Sequence, residues 1–370
     1  MDVVTPRKVG KSSLAVIPFG FGGGTIGSPA VSNSDAFDTV QAAWDLGVRF
    51  FDTAPWYGVG RSERRLGLAL NGAEGAGTAP DPATYAINTK IGKTLVPEPI
   101  RNDANKTVSP GGMVRTVRDP LTGFRVSFRY TYDAILRQHE DSLQRLGRSS
   151  VDSLTIHDID YGYHDDAQLE VHLHELSAEG GGGARALHEL RDAGQIKAIG
   201  AGCNLESRNA DSWLKPKHED LIERMADLVD LDFLVVAGGY TLLETRALRR
   251  VLPLCEARGI GVIIAAPFAS GWLVAPETAG MTYMYAEPPE EIVTRSRGMQ
   301  AICAKHNVPL AAAAIQFPLA HPSVAAVIPG AKSPTEVRQN QAHLQTPVPN
   351  AVWDAMRSEG LLDDGAATPS

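Results

Sequence analysis

Phe50-Phe51-Asp52-Thr53-Ala54-Pro55-Trp56-Tyr57-Gly58-Val59-Gly60-Arg61-Ser62-Glu63 runs an apolar strand into an acid and then toward a helix. The strand is Val48 to Phe51, a short proline-containing loop follows Asp52, Tyr57 is exposed on it, and Ser62-Glu63 can open the helix. A carboxylate and a phenol at one strand's exit can converge on a single point. Outward from this stretch, two later strands end in chemistry as well: Lys90 closes Ala86-Ile87-Asn88-Thr89-Lys90, and His157 closes Leu154-Thr155-Ile156-His157.

Apolar strands and amphipathic helices alternate along the rest of the chain. Arg7 to Ile17 reads as a small hairpin and Phe19 to Gly24 as a strand entering a glycine-rich turn. Asp35 to Leu46 carries Phe37, Val40, Ala43 and Trp44 at helical spacing and closes at Gly47. Further strands are expected at Tyr85 to Lys90, Val151 to His157, Ile196 to Ala201, Phe233 to Ala237, Gly261 to Ala266 and Val324 to Ile328, with helices between them. Eight strand–helix units without a dividing linker predict an α/β fold, a (β/α)8 TIM barrel spanning residues 1–370 as one domain. The N-terminal hairpin, a long loop at 93–131, an insertion at 160–183 and C-terminal helices at 333–360 elaborate it. The long loop has no sustained periodicity and holds four prolines and five arginines (Arg101, Arg115, Arg118, Arg125, Arg129), so it reads either as a solvated insertion or as a cover for a polar ligand. Barrels of this kind place chemistry at the C-terminal ends of their strands, where Asp52, Lys90 and His157 fall.

The totals narrow the partners. A 43% hydrophobic and 21% charged composition suits a chain that buries a core, and a net charge of −8 disfavours nucleic acid and anionic membrane. Cys203, Cys255 and Cys303 lie far apart and read as reduced thiols. No apolar run reaches the ~18 residues of a membrane helix. A soluble, cytoplasmic protein acting on a small molecule is expected.

Asp52, Tyr57, Lys90 and His157, in that order, resemble the catalytic set of the aldo-keto reductases, and the resemblance extends from about Arg7 to Asn340. The Asp-Thr-Ala-x-x-Tyr-Gly block is specific to that superfamily. Asp141-Ser-Leu-Gln-Arg-Leu-Gly147, His157-Asp-Ile-Asp160 and Ala237-Gly-Gly-Tyr-Thr-Leu-Leu-Glu244 are similar to a branch with aldose 1-dehydrogenases of the D-threo-aldose or L-fucose type and pyridoxal 4-dehydrogenase. The resemblance implies that Tyr57 is the acid/base, Lys90 the ammonium that favours its phenolate, Asp52 the partner of Lys90, and His157 a donor to the reacting oxygen. A free tyrosine titrates near ~10, and an adjacent ammonium lowers that by roughly 1–3 units. Singly, each residue has an ordinary structural role available: a turn cap, a loop aromatic, a snorkelling lysine, a core histidine.

The same resemblance implies an extended nicotinamide cofactor over the barrel mouth. Asn204 matches the family's carboxamide contact, while Cys203 stands where a serine is usual and is a weaker partner. Gly22, Gly23 and Thr25 lie at the first turn, and Pro329, Gly330, Lys332, Ser333, Glu336 and Asn340 follow the last strand. Ser333-Pro334 with Glu336 forms a capping-box sequence, whose helix start suits a phosphate. Glu336 disfavours a 2′-phosphate and Lys332 favours one; the balance points to NAD over NADP. Trp56, Tyr57, His157 and Trp272 are the candidate substrate residues, with Phe19 and Tyr240 as further lining. Ala266-Pro267-Phe268 replaces the aromatic that relatives place beneath the nicotinamide, a role open to Phe268 or Trp272.

Two other signals are set aside. Gly22-Gly23-Gly24-Thr25-Ile26-Gly27 fits a dinucleotide fingerprint, but Ser28-Pro29 separates it from any helix. His164, His172 and His174 lack metal-ligand spacing and read as a solvated insertion helix. The expected activity is oxidation of a free aldose's anomeric hydroxyl to a lactone. The alternatives are carbonyl reduction or a pyridoxal-type alcohol at the same site, or a cofactor-binding regulatory subunit with little turnover.

Overall fold

The computed structural model describes residues 2–369 except 73–80, 99–105, 109–113, 117, 120–122, 206–216, 277, 279–280 and 285–286; the side chains of 99–122 and of Cys203 also lie outside the description. The chain opens with the expected hairpin, β1 (Arg7–Lys8) antiparallel to β2 (Ala15–Val16). Gly10 turns it at φ 56°, where an added Cβ would stand 2.1 Å from the Asp232 carbonyl oxygen and 2.5 Å from the Gly261 nitrogen. The hairpin therefore lies under the entry ends of two later strands.

β3 (Phe21–Gly22), α1 (Asn33–Asp45), β4 (Phe50–Asp52), α2 (Arg61–Leu70) and β5 (Ala86–Ile91) follow. Ser32 caps α1 by accepting from the Asp35 N–H. The segment after β5 contains β6 (Lys93–Pro97), β7 (Lys106–Val108), β8 (Val114–Thr116), β9 (Arg118–Asp119) and β10 (Phe124–Phe128). Next come α3 (Tyr132–Leu146), β11 (Ser153–Ile156), α4 (Asp166–Leu176), α5 (Gly183–Asp192), β12 (Ala198–Asn204), α6 (Lys217–Leu228) and β13 (Phe233–Ala237). The chain continues through α7 (Val251–Arg258), β14 (Gly261–Ala265), α8 (Glu290–Lys305), α9 (Leu310–Gln316), β15 (Val324–Ile328), α10 (Pro334–Gln345) and α11 (Asn350–Ser358).

Eight parallel strands pair in the order β3-β4-β5-β11-β12-β13-β14-β15. Parallel bridges from Phe19 to Val327 and from Gly22 to Gly330 bring the two edges together, closing the expected barrel. Alternation along each strand sorts its side chains between two cores. Phe50, Phe233, Val235 and Ile263 fill the interior with Val9, Leu14 and Val16 of the hairpin, which plug it from below. Phe51, Leu234, Val236 and Ile264 face outward into the layer between strands and helices. Each such side chain, fully buried, contributes about 1.5–3 kcal/mol. The glycine-rich start belongs to this barrel, with α1 beginning only at Asn33.

Two expectations are corrected. The 93–129 segment is not structureless: β6 pairs antiparallel with β10 from Lys93↔Phe128 to Pro97↔Phe124, β10 pairs with β9, and β7 pairs with β8. β6 does not alternate and the two- and three-residue strands are too short to show a period, but Phe124-Arg125-Val126-Ser127-Phe128 of β10 does alternate at strand period, a signal passed over among the surrounding prolines and arginines. Of the five arginines, Arg101 and the side chains of Arg115 and Arg118 lie outside the description, Arg129 is exposed, and Arg125 pairs with Glu98 at 2.5 Å. The insertion helix α4 is not wholly solvated either. His174 is exposed, but His164 is buried and packs edge-on to Phe128 (ring centroids 4.4 Å apart) and His172 (4.6 Å). Two imidazoles thus join the inserted helix to the β6–β10 hairpin, a contact between segments distant in sequence.

Candidate active site

The parallel ladder sets three of the four expected residues at the C-terminal rim. Asp52 ends β4 opposite Asn88 of β5, and Lys90 lies opposite Thr155 of β11. His157 follows β11, its N–H continuing the ladder to the Ile91 carbonyl at 2.9 Å. Lys90 Nζ donates to both Asp52 oxygens at 2.7 Å and to the Thr53 carbonyl at 2.9 Å, so all three ammonium hydrogens have acceptors. Asn88 Nδ2 donates to Asp52 Oδ1 at 2.6 Å, and both members of the ion pair are buried. Removing either member of so buried a pair would leave an uncompensated charge away from water.

Tyr57 comes to this pair from the turn between β4 and α2. Lys90 Nζ is 4.8 Å from the centre of its ring, and the His157 ring stands edge-on to it at 5.8 Å. Gly58 (φ 63°) permits the approach, since a Cβ there would meet the Gly27 carbonyl oxygen at 1.9 Å. The helix opens where expected, at Arg61 after left-handed Gly60, and Ser62 and Glu63 in its first turn are buried struts. Ser62 Oγ donates to the Gly23 carbonyl at 2.7 Å; Glu63 accepts from Thr89 Oγ1 (2.7 Å) and Arg145 Nε (2.5 Å). They fix the turn against β3, β5 and α3.

A second group of charges, unanticipated from the sequence, adjoins His157. Lys93, three positions after Lys90, is buried with Nζ 2.5 Å from Asp158 Oδ2, and the same oxygen is 3.3 Å from His157 Nε2. The Lys93 ammonium lies 3.8 Å from the Tyr163 ring centre and 4.5 Å from that of Trp56. Asn204 Nδ2 donates to Asp158 Oδ1 (2.9 Å) and Asp160 Oδ2 (2.6 Å). Tyr130 OH donates to the His157 carbonyl at 2.7 Å; burial, then the charges of Asp158, Asp160 and Glu175, hold that phenol well above its ordinary pKa. The sequence does show aspartates beside His157 and a lysine after Gly92, but nothing local says that they meet.

The expected cofactor residues gather where β3 meets β15. Gly22 donates its N–H to the Pro329 carbonyl (3.0 Å), Thr25 Oγ1 donates to the Ala331 carbonyl (2.6 Å), and Asn340 Nδ2 reaches the Gly330 carbonyl (3.4 Å). Crowding at Gly22 and Gly23 comes from neighbouring strands: added Cβ atoms would meet Ile328 O at 2.7 Å and Asp52 O at 2.6 Å. Ser333 caps α10 by accepting from the Glu336 N–H (3.3 Å). The return arm of the expected capping box goes elsewhere: Glu336 Oε2 accepts from the Lys332 N–H (2.9 Å), not from that of Ser333. The Cys203 side chain lies outside the described residues.

Among the aromatic candidates, Trp56 is half-buried beside Tyr57. Trp272 (3% exposed) and Phe268 (8%) are nearly covered, within a loop where Ala266, Ala269, Ser270 and Gly271 all have positive φ. Phe19 is also buried, at 6%. Tyr240 is corrected: it has no exposed surface and packs against Phe317 (5.2 Å) and His321 (5.7 Å), so it lines no pocket. Cys255 and Cys303 are buried free thiols, pushed up by burial to about 12 and about 11. Among the described residues, no helix is long and apolar enough to cross a membrane.

Comparison with known proteins agrees with the family resemblance and the barrel fold. The Aldo/keto reductase family pattern matches residues 18–359. The chain is 37% identical to a pyridoxal 4-dehydrogenase of Microbacterium luteolum, over 96% of this chain and 97% of the other. It is 33% identical to a D-threo-aldose 1-dehydrogenase of Pseudomonas sp, over 95% and 96%. Among solved structures, it resembles the aldo-keto reductase AKR11C1 from Bacillus halodurans in its holo form (TM-score 0.66, 21% identity, 98% of each chain). It also resembles the glycerol dehydrogenase AKR11B4 from Gluconobacter oxydans (TM-score 0.67, 20% identity, 99% of each chain). A closed parallel barrel with Asp52, Tyr57, Lys90 and His157 assembled on its C-terminal rim, and a family match across nearly the whole length, place this chain among the oxidoreductases of the aldo/keto reductase family.

Proposed function

We propose that this protein is a nicotinamide-dependent dehydrogenase that oxidises the anomeric hydroxyl of a free aldose to a lactone, with Tyr57 as the base. The observation that carries the proposal is the Lys90–Asp52 pair set against the Tyr57 ring, with the His157 edge on that same ring. A positive charge beside a phenol favours phenolate. Asp52 offsets part of the Lys90 field, so it tunes this effect as well as anchoring the lysine.

The rim fits the cofactor that family members use, NAD(P)H. Asn204 has its amide hydrogens engaged by Asp158 and Asp160, and no described donor reaches its Oδ1, which suits the N–H of a carboxamide. The capped start of α10 and the Thr25–Ala331 contact flank a place for phosphate groups. Bound there, the nicotinamide supplies the acceptor for the hydride leaving the anomeric carbon. Tyr57 takes the proton from the anomeric hydroxyl, and His157 donates to the same oxygen while charge develops on it. Trp56 offers an apolar face for the substrate ring. Glu336 favours NAD: its carboxylate repels a 2′-phosphate and accepts from a 2′-hydroxyl.

A second substrate reading is supported by the 37% identity to a pyridoxal 4-dehydrogenase. An aromatic aldehyde with a neighbouring hydroxymethyl group closes to a cyclic hemiacetal, so both substrate types present the same reacting carbon. The test is NADH formation with a panel of free aldoses and pyridoxal-type compounds, NAD and NADP side by side, for wild type and Tyr57→Phe. Aldose-dependent reduction of NAD that Tyr57→Phe abolishes is the expected result. Pyridoxal-only turnover would select the second reading. Activity surviving in Tyr57→Phe would remove Tyr57 from its assigned role.

A further inference from the structure

Lys93 is a buried cation beside the site. Its position follows from Gly92, whose φ of 105° turns the chain out of β5 and back as β6. An added Cβ at Gly92 would lie 2.0 Å from the Tyr130 ring, so the turn accepts only glycine. The reversal brings Lys93 against Phe128 in the β6–β10 register, with its ammonium over the Tyr163 and Trp56 rings and against Asp158. Aromatic faces stabilise a cation without neutralising it.

Asp158 is held in an uncommon backbone state, φ 52°, found at a few per cent of non-glycine residues and most often at Asn and Asp. That conformation turns its carboxylate back to the imidazole that precedes it. Oδ2 is shared between Lys93 Nζ at 2.5 Å and His157 Nε2 at 3.3 Å, and Oδ1 is held by Asn204. A carboxylate this close to a histidine favours imidazolium unless another cation holds its charge.

We infer that Lys93 and Asp158 are positioning residues for His157: the nearby carboxylate favours the tautomer protonated at Nε2, and Lys93, its closer partner at 2.5 Å against 3.3 Å, takes up the carboxylate's charge so that His157 stays neutral and its single Nε2–H is left to the reacting oxygen. The inference rests on His157 as the oxygen-facing donor. Among the described residues, the charged and titratable groups around this imidazole include Tyr57 edge-on from the β4–α2 turn, Lys90 with Asp52 beyond that ring, and Lys93 from β6. Tyr130 meets its carbonyl, and Asp158, Asp160 and Tyr163 belong to its own loop. The lysine is the group placed to set the balance, because it touches the carboxylate oxygen that the imidazole also touches.

The test is the NMR titration of the His157 ring in the cofactor-free protein, its signal assigned by loss in His157→Asn, alongside the pH profile of kcat/KM. Lys93→Met should raise the His157 midpoint by about 1 unit or more and move the acid limb of the profile upward with it. Asp158→Asn, which leaves Lys93 without its carboxylate, should lower the midpoint. The double variant should restore it to within about half a unit of wild type. An unchanged midpoint in both single variants, or shifts in the same direction, overturns the inference. Should Lys93→Met fail to fold, Asp158→Asn and the double variant decide: a fall in the first and recovery in the second sustain the inference, and any other pattern overturns it. These titrations need no turnover, so a panel without sugar or pyridoxal activity would remove the proposed substrates while the histidine midpoints still answer independently.

Discussion

Lys90 Nζ stands 2.7 Å from each carboxylate oxygen of Asp52, and a third bond to the Thr53 carbonyl at 2.9 Å completes its shell. An ammonium so fully engaged is not a mobile ligand-binding group. It is a fixed charge, set 4.8 Å from the centre of the ring proposed to carry the proton. The strand ladder, not the flexible lysine stem, determines where that charge lies.

Lys90→Met strands the Asp52 carboxylate with the Asn88 amide as its described side-chain donor. Unfolding free energy should fall by ~3–5 kcal/mol, the cost of breaking a buried pair from one side. Adding Asp52→Asn should recover most of that loss, because no uncompensated charge remains. Urea denaturation reads both. Turnover should fall ~100-fold or more in both variants, since neither retains the ammonium beside Tyr57.

Gly92→Ala forces a left-handed-region φ on a residue with a Cβ and drives that atom into the Tyr130 ring. Strain and overpacking together should cost about 2–5 kcal/mol. Tyr130 holds the His157 carbonyl, so the damage should reach the site: kcat should drop even at temperatures where the variant is folded. Full activity in a folded Gly92→Ala would show that this turn does not position His157.

Glu336→Arg replaces a carboxylate that accepts from the Lys332 N–H with a cation beside the start of α10. The ratio of kcat/KM with NADP to that with NAD should rise tenfold or more, about 1.4 kcal/mol of changed preference. Loss of the capping interaction should cost roughly 0.5–1 kcal/mol of stability. An unchanged ratio would take Glu336 out of nucleotide selection.

His164 makes the fold acid-sensitive. Burial first, then the charges of His172 and Lys93, hold its pKa down at about 3, so it is neutral in the fold. The unfolded chain takes up a proton below ~6.5. Between those values the unfolded state binds more protons, so this contribution is present above pH ~6.5 and is lost as pH falls toward 3. His164→Phe should reduce the stability lost between pH 7 and 4, by on the order of 3 kcal/mol at most. Parallel urea titrations at the two pH values would detect it.

Hydrophobic patterning made the barrel legible because each parallel strand is buried on both faces and leaves a dense apolar run, as Phe233–Ala237 and Val324–Ile328 do. β6, opening on Lys93 and Thr94, offers no such run, whereas β10 alternates Phe124, Val126 and Phe128 with Arg125 and Ser127 and was legible by strand period. Ser62 and Glu63 do open α2, just after Arg61, but their buried bonds to Gly23, Thr89 and Arg145 involve partners that sequence spacing cannot reveal.

Asp52, Lys90 and His157 were readable from sequence because a side chain at a strand's exit has its rim position set by the ladder, and Tyr57 because it follows Asp52 after so short a loop. Tyr240, Lys93 and Asp158 were not, since each depends on contacts between segments far apart in the chain. Tyr240 follows a barrel strand yet packs against Phe317 and His321. Lys93 reaches Asp158 across 65 positions, through a glycine turn and a left-handed aspartate. Local order expresses backbone periodicity, whereas the pairing of buried charges depends on which distant side chains must satisfy one another away from water, and only the assembled barrel determines that.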